Sequence, residues 1–98
     1  MVQVWEFWCQ NLSNGFGWSV YLAEQMSFKE IATIYRNEAW ECPSQERDLL
    51  QLANLILEEG DREISFFDLK DHGTSVEGTI NEKATWSLRL IKAHRRKP

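Results

Sequence analysis

From Val4 to Cys9 the chain alternates with a period of two, and both registers are bulky. Trp5, Phe7 and Cys9 occupy one register; Val4, Glu6 and Trp8 occupy the other. A period of two is β-strand geometry, in which successive side chains point to opposite faces. Large groups on both faces narrow the reading further: such a strand lies in the middle of a sheet, or it keeps one face for a partner. Asn14-Gly15 follows, and both residues tolerate the positive φ of a tight turn. Beyond it Trp18, Val20 and Leu22 face one way, and Ser19, Tyr21 and Ala23 the other. The first 25 residues therefore read as a β-hairpin, with a loop longer than two residues between Ser13 and Gly17.

Two helices are expected next. Ser27 is placed to cap the first. Glu30 completes a capping box three residues on, and Met26 with Ile31 forms a hydrophobic staple. Phe28, Ile31, Ala32, Ile34, Tyr35 and Ala39 form its apolar stripe. Pro43 bars helical geometry at the preceding residue, so Asn37 to Cys42 is expected to be a fraying end. The second helix is expected to start at Ser44, with Glu46 and Asp48 at the positive end of its dipole. Leu49, Leu50, Leu52, Ala53, Ile56 and Leu57 make its broad apolar face, and Gly60 stops it. Glu58 and Glu59 in its last turn have the wrong sign for the dipole, a mild sign of a second purpose that a solvated helix end explains more often.

From Arg62 the period returns to two. Ile64 and Phe66 alternate with Ser65, Phe67 and Leu69, and Asp71-His72-Gly73 turns the chain. Thr74, Val76, Gly78 and Ile80 form the next strand, and Asn81-Glu82-Lys83 turns it again. The last strand sets Trp86, Leu88 and Leu90 against Thr85, Ser87 and Arg89. Short turns between successive strands make an antiparallel meander. The element order is ββ-αα-βββ, an α+β domain with one antiparallel sheet and two helices packed on one face. The domain is expected to span 1–92, with 93–98 a basic, disordered tail. A strand edge at 84–92 is expected to be open to strand pairing in a homodimer.

Composition sets limits on function. With 43% apolar residues, five Trp and five Phe, the chain has enough material for a core of its own, which excludes a disordered segment. No stretch reaches the roughly 18 uncharged residues of a spanning helix. The N-terminus lacks a basic segment, and Glu6 interrupts its apolar run, so a secretory signal is not expected and the expected setting is cytoplasmic. There Cys9 and Cys42 stay reduced. The formal charge of −4 hides a split. Residues 1–88 carry all 15 acids and 6 of the 11 Lys and Arg, a net of −9, while residues 89–98 carry +5.

Chemistry-bearing motifs are sparse. Cys9, Cys42, His72 and His94 have none of the spacings of a zinc site, and the five glycines form no phosphate-binding loop, so neither a metal nor a cofactor is expected. Asp61, Asp68 and Lys70 group acids with an amine as a magnesium-dependent nuclease would, but a D-x-K triplet is common by chance and such a like-facing pair is normally a solvated salt bridge. Asp71 and His72 near Thr74 and Ser75 read as a turn rather than a nucleophile and its base. No catalysis is expected.

What remains is surface. Glu38, Trp40, Glu41, Glu46 and Asp48 put an aromatic group among acids, in a segment whose burial no apolar stripe ensures; the plainer reading packs Trp40 under the helix junction and leaves the acids as solvating charge. Trp is enriched at binding hot spots, and acidic rims speed encounter with basic partners. The expected function is that of a small acidic binding protein that occludes a larger protein partner with a basic surface, of inhibitor, immunity or anti-defence type. The alternative is a nucleic-acid or ribosome-associated accessory protein that contacts phosphates through Arg89, Lys92, Arg95, Arg96 and Lys97. The acidic body would repel such a polyanion.

Overall fold

The computed structural model describes the backbone of residues 2–64 and 75–94 and the side chains of residues 4–64 and 75–91. Strand β1 (Val2–Asn11) and strand β2 (Gly17–Leu22) form the N-terminal hairpin. Gly15 takes a φ of 75° in the loop, as its position in the turn requires. Helix α1 (Phe28–Glu41) and helix α2 (Glu46–Leu57) follow, joined by a single 3-10 turn at Pro43–Gln45. Strands β3 (Ser75–Ile80) and β4 (Ala84–His94) complete the α+β domain as a second hairpin. Of the additional strand expected between Ile64 and Leu69 only Ile64, which is buried, is among the described residues; the rest of it and the Asp71-His72-Gly73 turn lie outside them.

The four strands form one antiparallel sheet in the order β2-β1-β4-β3. The two hairpins are thus joined by their first and last strands, with Phe7 opposite Leu88 and Cys9 opposite Trp86. This corrects the expectation of an open edge at 84–92. From Ala84 to Arg89, β4 is paired with β1 on one side and β3 on the other, so that stretch is a central strand and not an edge. The outer described strands are β2 and β3.

One face of the sheet is covered by both helices. Trp5, Phe7 and Cys9 of β1, Val20 and Leu22 of β2, and Trp86 and Leu88 of β4 are buried against Phe28, Ile31 and Tyr35 of α1 and Leu49, Leu52 and Ile56 of α2. Phe7 is at the centre: it stacks on Trp86 at a 6.0 Å centroid distance and meets Phe28 and Tyr35 edge-on. The Tyr35 hydroxyl, its ionisation pushed well up by burial, donates to the Trp18 carbonyl and fastens α1 to the N-terminal hairpin. Burial likewise pushes the Cys9 thiol up to about 12, which leaves it a protonated, inert core group. Cys9 and Cys42 are both free thiols.

The start of α1 is doubly secured. The Ser27–Glu30 capping box is complete, and the Phe28 and Lys29 N–H groups donate to the Arg62 and Gly60 carbonyls beyond α2. Three local expectations need correction. α1 does not fray from Asn37; it stays helical through Glu41, held by burial of Ala39 and by the Cys42 N–H bonded to the Glu38 carbonyl. α2 starts at Glu46 rather than Ser44, because Pro43 opens a 3-10 turn first. Leu50, placed on the apolar face of α2 by its spacing, is exposed.

Candidate partner-binding surface

The extended α1 carries Trp40 out with it. Ala39 faces the core, and one residue later the chain has rotated by about 100°, which points Trp40 away from it. Trp40 is 88% exposed, the most exposed large apolar side chain among the described residues. On the helix surface it follows Arg36 and Asn37, both also exposed. Glu38 and Glu41 flank it, and no base shares the last turn of α1. Acids at a helix C-terminus face the negative end of the dipole, at a cost of about 0.3–1 kcal/mol each. Across the 3-10 turn, Glu46 and Asp48 sit in the first turn of α2, where their sign is favourable. Asp48 also accepts a 3.4 Å hydrogen bond from Asn14 in the β1–β2 loop. The five residues picked from sequence therefore flank one connection, with Trp40 and Glu41 exposed before it and Glu46 exposed after it.

The wrong-signed acids at the end of α2 have a different fate. Glu58 accepts a hydrogen bond from Asn81 and pairs with Lys83 at 3.6 Å, tying α2 to the β3–β4 turn. Glu59 pairs with Arg62. The suspected second purpose of these two acids is internal fastening.

A second surface lies on the sheet face opposite the helices. Glu6, Trp8 and Gln10 of β1 share it with Ser19 and Tyr21 of β2, Thr85, Ser87 and Arg89 of β4, and Ser75, Glu77 and Thr79 of β3. No described element covers it. Trp8 is 37% and Tyr21 65% exposed. A Cβ at Gly17 would overlap the Trp8 ring, so the indole lies directly over the Gly17 backbone and only a glycine leaves room for it. Two recesses of about 480 and 520 Å³ open beside Trp8, and both are walled by Glu77 and Ser87 as well. Neither Trp8 nor Tyr21 was among the residues picked from sequence. The signal was the alternation itself, which set Trp8 opposite the Trp5, Phe7 and Cys9 register.

The remaining candidates are dispersed. Arg89 is engaged on the open face by Glu6 at 2.6 Å. Lys92 lies within β4, with its side chain outside the described residues, and Arg95, Arg96 and Lys97 lie outside them altogether. Of the nuclease-like trio, Asp61 sits exposed in the turn after α2, and Asp68 and Lys70 lie outside the described residues. Among the described residues no group of three or more His, Cys, Asp or Glu is placed to hold a metal ion, and no helix is long and apolar enough to cross a membrane. No protein-family model, no curated protein and no solved structure matches this chain.

Proposed function

We propose that this chain is a small acidic binding protein of the cytoplasm, without catalysis of its own, that occludes a larger protein partner bearing a basic surface. Inhibitors, immunity proteins and anti-defence proteins work in this way. One observation carries the reading: Trp40 stands 88% exposed between two acids that weaken the helix bearing them. An exposed indole returns nothing to the fold, whereas in an interface it is the side chain most enriched among residues whose removal costs 2 kcal/mol or more. Glu38, Glu41 and Glu46 around it supply the long-range attraction that raises association rates with a basic surface. Ionic engagement of Arg89 by Glu6 gives the nucleic-acid alternative no comparable support.

The test begins with affinity capture from an extract of the source organism, followed by calorimetry on the purified pair. Wild-type protein is expected to retain a basic protein. Trp40→Ala is expected to lose it, and Glu41→Lys with Glu46→Lys to slow association in a salt-dependent manner. Asp48 is left intact because it also holds Asn14. Equal binding by all three proteins overturns the reading. Retention of nucleic acid, abolished by deleting residues 93–98, replaces it with the alternative.

A further inference from the structure

We infer that the open sheet face carries a second site, a trough over β4 that takes an arginine side chain presented by a basic segment of a protein partner. The inference rests on the reading of the chain as a binder of basic proteins, but it uses different elements from the Trp40 surface. The trough follows from register. Glu77, Ser87 and Trp8 stand directly opposite one another on β3, β4 and β1. Adjacent strands are about 4.8 Å apart, so Trp8 and Glu77 rise from backbones roughly 10 Å apart, with only a serine between them and the Trp8 ring laid toward Gly17 on β2. Ser87 is too small to fill that gap, and the recesses on either side of this row record the space left open.

Charge decides what fits. At one end of the trough Glu6 is neutralised by Arg89 at 2.6 Å. Among the described residues Glu77 has no ion pair, and it stands as an exposed carboxylate beside an aromatic plate. A guanidinium meets both demands: its flat, weakly hydrated face stacks on an indole, and its edge donates two parallel hydrogen bonds to a carboxylate. A phosphate or a nucleic-acid backbone would meet the carboxylate with the same sign of charge. The missing side chain at Gly17 leaves room for the indole to lie against the sheet.

The experiment is a nuclear magnetic resonance titration of the full chain with hexa-arginine, using hexacitrulline as the uncharged analogue of the same shape. The five tryptophans give five indole N–H signals, and Trp8→Phe identifies that of Trp8. Hexa-arginine is expected to move the Trp8 indole signal and the Ser87 and Glu77 amides saturably, while hexacitrulline leaves them still. Glu77→Gln, an exposed change on an outer strand, is expected to raise the dissociation constant about fivefold, the upper range for an exposed charge pair. Trp40→Ala is expected to leave that constant unchanged. Shifts confined to the α1–α2 connection overturn the inference and leave the Trp40 reading standing. Equal shifts with hexacitrulline, or unchanged affinity in Glu77→Gln, also overturn it. Movement of the Trp8 signal by maltohexaose with none by hexa-arginine overturns it in favour of a sugar site.

Discussion

Helix α1 closes on Glu38 and Glu41, and helix α2 on Glu58 with Glu59 just beyond, so both present acids where the dipole favours bases. At α2 the acids are bound to Asn81, Lys83 and Arg62, and the local repulsion is offset by contacts that join the helix to the sheet hairpin and to its own following turn. At α1 the acids flank an exposed Trp40, with no base in the turn. The same electrostatic fault is compensated inside the molecule at one helix end and left open at the other. The uncompensated charge and the large apolar side chain lie together on the α1 surface, which is what singles that surface out under the proposed function.

The contrast can be broken in a definite order. The largest effect is expected from Trp40→Ala, which should lower partner affinity by about 2 kcal/mol, roughly 30-fold, while stability in urea changes by less than about 0.5 kcal/mol. A loss of stability comparable to the loss of affinity would make Trp40 a structural residue and erase the difference between the two ends. Glu58→Ala should act in the opposite sense, destabilising the fold by about 1 kcal/mol: the charged hydrogen bond to Asn81 outweighs the relief of dipole repulsion. Urea denaturation reads this directly, and partner affinity should not move. Glu41→Lys should stabilise the chain by about 0.5 kcal/mol, because it exchanges a wrong charge for a right one at the helix end, while it weakens the complex. A gain in one assay with a loss in the other sharpens the contrast more than either alone.

The smallest effect concerns the opposite end of α1. Hydrogen bonds from the Ser27 backbone and side chain hold the Glu30 carboxyl below the ordinary carboxylate range. Its folded value is therefore depressed relative to the unfolded chain. The stability it adds is fully present above the unfolded value and is lost as the pH falls through the folded one. Glu30→Gln keeps an acceptor for the cap but does not titrate. Its stability difference from the native chain should accordingly shrink as the pH is lowered from about 6 to about 2 in a denaturation series.

Much of this was legible in the sequence, and the parts that were not share a cause. The capping box at Ser27, the inward register of Trp5, Phe7 and Cys9, and the antiparallel hairpins are local patterns, and local patterns survive into the fold. Strand order is not local. The polar register of Thr85, Ser87 and Arg89 reads like an edge, yet the same residues occupy the middle of the uncovered face of a central strand. The exposure of Trp40 followed from a helix that outlasted its expected end, and the decisive contacts, the Cys42 cap and the burial of Ala39, depend on tertiary packing. Trp8 was visible as the misfit of its register. Its surroundings became readable only from the sheet register, which sets Ser87 and Glu77, some seventy or more positions away, in its row.

The strand order also governs time. β1 emerges first and β4 last, yet they are neighbours at the centre of the sheet, with Val2 beside His94. The core that depends on this pairing, Phe7 against Trp86 above all, cannot close until nearly the whole described chain has been made. Contacts of such long sequence separation slow folding, because the loop must be closed before its interactions repay the lost entropy. Until then the N-terminal hairpin waits with Trp5 and Phe7, both buried in the finished core, short of their final partners. A nascent chain of this kind has reason to fold all at once or to be sheltered while it waits.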